Sequence, residues 1–298
     1  MIDRIIEISE TAARLKIHNS LLHIWVDEKT QTTVPLNEIA VLLLSNPAGS
    51  LTNAVLSQLA EHGAMVVVVG DDYQPSAMLM PLKTVTRQSE RFQKQIQAKS
   101  TINKQIWKDI IVQKIVNQAH FLEFLYKNDY NLLKLAQAVK SDDSENMEGR
   151  TARIYWKNLK LFAKRDRDNE DDANSLLNYG YMVLYACCAR AICSAGLHPT
   201  IGIHHHNQFN AFCLASDIME PYRIVVDRIV CAYSCNIKEV NKESKQFILS
   251  KLLNSKVLIN GKREQLFKAL SITADSLARI YCNNNYEGKI LLPILIYI

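Results

Sequence analysis

AMVVVVGDDYQPSAMLMPLKTVTRQSERFQK, residues 64–94, changes character halfway along. AMVVVVG is an uninterrupted apolar run closed by glycine, the pattern of a buried strand. DDYQPSAMLMP follows with prolines at 75 and 81 and reads as a linker over 71–82. Beyond it, Lys83, Arg87, Arg91 and Lys94 recur at i, i+4, i+8 and i+11, which lays four cations along one helical face. The predicted fold class is therefore α+β. A small β-rich domain over residues 1–70 is joined by that linker to a larger all-α domain over residues 83–298.

Both flanks agree with this division. Upstream, IIEIS, RLKI, LLHIWV, TTVPL and IAVLLL are short runs rich in β-branched or aromatic residues, separated by charged or turn-forming breaks. One helix interrupts them at Thr52–Glu61, with Gly63 just past its end. Downstream, helices are predicted at 105–126, 129–140, 145–163, 174–195, 214–235, 242–253 and 262–282. The acidic stretch RDRDNEDDANS, residues 165–175, reads as a solvated loop between two of them.

Composition limits the class of protein. A chain of 298 residues with 48% hydrophobic and 22% charged residues can bury full-sized cores. Residues 1–75 hold four Lys/Arg against nine Asp/Glu, while residues 76–298 hold 31 against 21. Between 83 and 115 there are eight Lys/Arg and only two acids, so the stripe Lys83–Arg87–Arg91–Lys94 is expected to contact phosphates. A solvated helix face is the blander alternative. The seven cysteines form no CxxC pair, which indicates buried thiols in a reducing cytoplasm rather than disulfides or zinc. MIDRIIEISE carries acids and is expected not to be a signal peptide. AVLLL and LLPILIYI fall well short of the roughly 20 residues that span a bilayer, so no membrane partner is expected.

GIHHHNQFNAFCLASDIMEPYR, residues 202–223, concentrates the chemistry. Adjacent side chains diverge in helix or strand, so the three consecutive histidines cannot all serve one ion. Asp217 and Glu220 share a helix face at i, i+3. On a straight helix His205 and Glu220 would stand about 22 Å apart, so sharing a site requires the chain to turn, and the Asn-bearing HNQFNAF is where the turn is expected. Helix 145–163 offers a further carboxylate, Glu145 or Glu148, and composition does not choose between them.

The segment GIHHHNQFNAFCLASDIMEPYRIVVDRIV resembles the signature of the CRISPR-associated integrase, the larger subunit of the spacer-acquisition complex, in its type II branch. The pattern is Gly-x-x-His, an Asn/Phe-rich stretch, then Leu-x-x-Asp-(apolar)-x-Glu/Asp-x-x-Arg. EGRTARIYW, QKIVNQ and NSLLNYGYMVLYACCARAICSAGLHPTIGIHH are similar to further family segments, in the same order, and the resemblance covers nearly the whole chain. It implies a metal-binding catalytic triad at Glu148, His205 and Glu220, with Asp217 supporting it and no role for His204 and His206. It implies Mg²⁺ or Mn²⁺, and insertion of DNA into a repeat array by 3′-hydroxyl attack. The implied partners are double-stranded DNA, a second copy in a homodimer formed through the β-rich domain, a small dimeric CRISPR-associated subunit, and the type II effector nuclease. A general metal-dependent DNA nuclease and a non-catalytic DNA-binding scaffold are the competing readings.

Overall fold

A computed structural model describes residues 3–26, 31–70, 75–81, 87–160, 172–233, 241–286 and 288–296. The chain divides into two compact units, Met1–Thr86 and Arg87–Ile298.

The first unit contains β1 (Arg4–Ile8), β2 (Arg14–His18), β3 (Leu21–Trp25), β4 (Gln31–Pro35), β5 (Ile39–Leu44), β6 (Ser50–Leu51), α1 (Asn53–Glu61), β7 (Met65–Val69) and β8 (Pro75–Leu79). One sheet has the order β1-β5-β7-β8, and the other β4-β3-β2-β6. The β2–β3 hairpin turns on Asn19 and Ser20, both with positive φ, as a two-residue turn between right-twisted strands requires. Alternation along β2 and β3 sends Leu15, Leu22 and Ile24 into a core shared with Val34, Leu42, Val55, Leu59 and Val66. Strand β5 is buried over five of its six residues, as befits a strand flanked by parallel neighbours.

The stretch expected as a linker contributes a strand. β8 lies antiparallel to β7 at the sheet edge. Pro75 opens it, and an edge strand's first residue is where a missing N–H costs least.

The second unit contains α2 (Gln88–Ile96), α3 (Ser100–Tyr126), α4 (Leu132–Gln137), α5 (Met147–Leu159), α6 (Asp172–Ser194), α7 (Cys213–Met219), α8 (Arg223–Tyr233), α9 (Lys242–Asn254), β9 (Lys256–Ile259), β10 (Lys262–Gln265), α10 (Leu266–Asn283) and β11 (Ile294–Leu295). It is mainly helical but not all-α, because β10, β9 and β11 form a small antiparallel sheet. Asn260 and Gly261, both at positive φ, supply its hairpin turn, so the helix expected over 262–282 begins only at Leu266. The helix expected over 214–235 is broken at Glu220–Tyr222 into a short 3-10 turn, since Pro221 cannot donate to the α-helical ladder. The residues 165–171 of the acidic stretch lie outside the described residues, and α6 begins at Asp172. Helix α6 is long and apolar enough to cross a membrane, yet 83% of its apolar window is buried, as in the central helix of a packed unit.

Candidate active site

Helix α3 runs through the core behind Ile106, Ile110, Ile111, Ile115 and Phe121, and on that buried side it also carries Lys114, Asn117 and Gln118. A lysine in such a place is held by partners. Lys114 Nζ lies 2.7 Å from Glu148 Oε1 and 2.6 Å from Glu220 Oε2, so one ammonium joins two carboxylates from distant segments. Burial alone would lower the Lys114 pKa; the charges of Glu220 and Glu148 outweigh it and raise it. Asn117, one turn on, donates to the carbonyls of Pro221 and Pro293, each at 3.0 Å. It thereby fixes the backbone next to Glu220 and the segment entering β11.

Glu148 stands in the first turn of α5, after a tight approach in which Asp142, Asp143 and Asn146 all have positive φ. The buried Asp143 carboxylate accepts from the N–H groups of Met147 (2.8 Å) and Glu148 (2.9 Å), and the Asn146 side chain accepts from Gly149 N–H (3.0 Å). These caps satisfy donors that the helix itself leaves free and set the direction of Glu148.

The histidine loop folds around one buried carboxylate. Asp217 Oδ2 accepts from the N–H groups of Ile203 (2.6 Å) and His204 (3.1 Å), and Oδ1 accepts from His205 N–H (3.3 Å) and from His205 Nδ1 (2.5 Å). Gly202 is required there: a Cβ would stand 2.3 Å from the His205 carbonyl oxygen and 3.1 Å from Asp217 Oδ2. The chain thus reverses between Gly202 and Asp217 instead of continuing as a helix. Because Nδ1 gives its hydrogen to Asp217, Nε2 is the nitrogen free to act as a ligand. The Asp217 hydrogen bond raises the His205 pKa against the opposing effect of burial, with the charges of Asp217, Glu220 and Glu148 adding to it. His204 turns elsewhere: its ring stacks on Trp107 at 4.4 Å with an interplanar angle of 1°, and Nδ1 lies 3.3 Å from Asp142 Oδ1.

Glu220 occupies the break between α7 and α8. Arg223 Nε donates to its Oε1 at 2.8 Å. Burial pushes the Glu220 carboxyl up, and Arg223 and Lys114 overcome that to hold it well below the usual carboxylate range. The Arg223 guanidinium lies over the Tyr181 ring at 4.9 Å, and Tyr181 and Tyr155 both donate to the buried Asp227. The acid is therefore held within a connected polar network.

Among the described residues no three His, Cys, Asp or Glu side chains converge closely enough, as they stand, to hold a metal ion. The donor set nevertheless suits one. Glu220 Oε2 is buried, and the cation it meets there is the Lys114 ammonium at 2.6 Å. A cation already sits between the two carboxylates, and two oxygens with one imidazole nitrogen is a ligand set acceptable to Mn²⁺ or Mg²⁺.

Three of the four residues of the basic stripe are among the described residues. Lys83 lies outside the described residues. Arg87 is exposed and 3.6 Å from Glu90, and Lys94 is exposed. Arg91 departs from expectation: it donates to the Ala195 carbonyl, just beyond the end of α6. A cation is favoured at a helix C-terminus, where unpaired carbonyls gather. On the same helix the buried Gln95 grips His198 and Ile201, donating to both carbonyls and accepting from His198 N–H. Helix α2 therefore braces the segment leading to the histidine loop. Sequence reasoning missed this role, as it missed Asp143, and it gave Lys114 no role beyond its place in the basic stretch 83–115 and in QKIVNQ. The available signal for Lys114 was its place in the apolar stripe of α3.

Residues 6–271 match the family described as CRISPR associated protein Cas1. The chain is 36% identical over 202 residues to a CRISPR-associated endonuclease Cas1 of Neisseria meningitidis serogroup C, covering 66% of each chain. It is 32% identical over 185 residues to another from Francisella tularensis subsp. novicida, covering 53% of this chain and 58% of that one. These alignments thus span somewhat less than two thirds of either relative. A casposase bound to integration product superposes with a TM-score of 0.81 at 20% identity, over 97% of this chain and 93% of that one. A CAS1 protein from Thermotoga maritima gives 0.74 at 16% identity, over 99% and 100%. A Cas6-RT-Cas1–Cas2 complex gives 0.77 at 20% identity, over 97% of this chain and 36% of that one. The chain belongs to the Cas1 family of CRISPR-associated proteins.

Proposed function

We propose that the protein is a metal-dependent DNA integrase of the type II branch that inserts spacer DNA into a CRISPR array. The 3′-hydroxyl of the incoming strand attacks a phosphodiester at the repeat border; the new P–O bond forms as the old one breaks, and the displaced strand leaves with a 3′-hydroxyl. The observation that carries the reading is the gathering of Glu148 and Glu220 on one cation, beside an imidazole oriented by Asp217. Glu148, His205 Nε2 and Glu220 would hold Mg²⁺ or Mn²⁺. The ion would supply charge neutralisation at the phosphate and a lower pKa for the attacking hydroxyl. Asp217 keeps Nδ1 protonated and the ring fixed, while Asp143 and the Arg223–Asp227 network fix the two carboxylates. No side-chain nucleophile is required, and the protein's contribution is positioning.

The family membership, the printed names of the relatives and the casposase-like fold support this reading. The Cas1–Cas2 assembly among the structural neighbours supports a small partner subunit here. Double-stranded DNA as substrate, a homodimer formed through the β-rich unit and contact with the type II effector nuclease complete the proposal. The test incubates the chain and its small partner with 3′-hydroxyl DNA and a plasmid bearing the repeat array. Glu148→Ala, His205→Ala and Glu220→Ala should each abolish strand transfer, with His206→Ala close to wild type. Cleavage without joined products would indicate a general nuclease, and full activity of Glu148→Ala would indicate a scaffold.

A further inference from the structure

Residues 288–296, beyond the 6–271 that match the family, run as a strap without helix that ends in β11 and buries Ile290, Pro293 and Leu295. Two buried side chains join this strap to the short turn Glu220–Tyr222. The first is Asn117. Its Oδ1 accepts from Gln113 Nε2 (3.0 Å) and from Leu295 N–H (3.3 Å). That orientation turns Nδ2 towards the carbonyls of Pro221 and Pro293. The second is Thr273, on α10. Its hydroxyl donates to the Leu291 carbonyl at 2.7 Å, which uses its single hydrogen, so it accepts from Tyr222 OH at 2.7 Å. Ser276 locks this link by accepting from Leu291 N–H (3.0 Å) and donating to the Thr273 carbonyl (2.7 Å). Asn117, Tyr222 and Thr273 are each at 0% exposure, so a lost partner leaves a buried polar group unpaired.

We infer that Asn117 and Thr273 are positioning residues that clamp the Glu220 turn onto the C-terminal strap and so set where the Glu220 carboxylate stands. The inference rests on the metal-dependent function proposed above. Each clamp takes one group from the turn, the Pro221 carbonyl or the Tyr222 hydroxyl, and one carbonyl from the strap. The two groups belong to the residues that directly follow Glu220, where Pro221 removes an N–H from the helical ladder. Two links from outside the turn thus hold a segment that its own ladder holds less firmly. Asn117 also lies three residues after Lys114 on α3, so one helix supplies both the cation that meets Glu220 and the donor that holds its backbone. Groups behind a metal ligand fix its orientation, and their loss costs about 10–100-fold in metal affinity. The competing reading is a strap that only covers the apolar core.

The test uses the full chain well below its Tm. Amide hydrogen exchange in EDTA reads the clamp itself, and titration with Mn²⁺ followed by electron paramagnetic resonance reads its effect on the site. Thr273→Val keeps the side-chain volume and removes both hydrogen bonds. It should speed exchange of amides 222–226 about tenfold and weaken Mn²⁺ binding by about tenfold or more. Thr273→Ser should restore both. Tyr286→Phe is the control, because it cuts only the hydrogen bond to Asp109 that ties the chain just ahead of the strap to α3. It should lower Tm while leaving the exchange of 222–226 and the Mn²⁺ affinity at wild-type values. A chain ending at Gly288 should match Thr273→Val or exceed it; if that chain does not fold, Thr273→Val decides alone. Unchanged exchange in Thr273→Val would overturn the inference. Equal effects of Thr273→Val and Tyr286→Phe would also overturn it, since the strap would then act through overall stability. Faster exchange with undiminished Mn²⁺ affinity would reduce the clamp to a structural link and overturn the positioning role. Failure of the metal-dependent reading would show separately, as wild-type protein that binds no Mn²⁺, and exchange in EDTA would still decide whether the clamp holds the Glu220 turn.

Discussion

Replacing Lys114 with methionine keeps the apolar stem in the core and removes only the ammonium that joins Glu148 to Glu220. Breaking a buried ion pair by deleting one partner costs about 3–5 kcal/mol, because the other charge stays behind. Here two circumstances pull the figure to the lower end. Arg223 still neutralises Glu220, and the Glu148 side chain is 32% exposed, so water screens part of its charge. The expected loss is about 3 kcal/mol in EDTA, which for a unit of this size corresponds to a drop in Tm of roughly 6–12 °C. A divalent ion at the same oxygens must displace the ammonium in the wild type but meets no competitor in the variant. Mn²⁺ at about 100 times its Kd stabilises by about 2.7 kcal/mol, so saturating Mn²⁺ should restore most of the lost stability. The thermal shift on adding Mn²⁺ should be larger in Lys114→Met than in wild type. Differential scanning calorimetry with and without Mn²⁺ measures both quantities. Unchanged stability in EDTA would refute the counterion role, and equal Mn²⁺ shifts in the two proteins would show that the ion does not compete with Lys114.

Three further outcomes are expected. Glu220 has a folded-state pKa below its ordinary value, so its contribution is present above about pH 4.5 and is lost as pH falls through the folded value; in EDTA, the stability gap between wild type and Glu220→Gln should narrow as acid denaturation is followed from pH 5 downward. Gly202→Ala should cut strand transfer by at least about tenfold, because its Cβ would strike the His205 backbone oxygen, which has no rotamer to escape into; Gly288→Ala, where a Cβ meets nothing within 4 Å, is the matched control. Arg87→Ala with Lys94→Ala should lower the slope of log affinity against log salt by about 0.9 per lost phosphate contact; an unchanged slope would move the DNA track off α2.

The sequence carried the strands and the long helices because burial on one face leaves a periodic record, as in Leu15, Leu22 and Ile24 or along α3. It was weaker where one local rule overrode that period. Asn260–Gly261 announces a hairpin, yet the helical pattern that resumes at Leu266 drew the preceding strand into a helix. Pro221 ends α7 early, and that break is what brings Glu220 to face Lys114 instead of continuing along one cylinder. The positions of Glu148, His205 and Glu220 came from resemblance, since spacing alone left Glu145 and Glu148 equivalent. The structure separates that pair on physical grounds. Glu145 pairs with Lys140 at the surface, whereas Asp143 caps the helix so that Glu148 meets a buried lysine. Residues that act through other residues leave no periodic trace. Asp143, Gln95 and Arg91 satisfy backbone groups of segments far away in the chain or across a turn, and only the folded backbone shows which groups those are. Arg91 is the sharpest case, because its spacing placed it on one helical stripe with Lys83, Arg87 and Lys94. The open carbonyl at the end of α6 claims it, so a charge pattern that reads as one DNA-facing stripe divides into a brace and two exposed cations among the described residues.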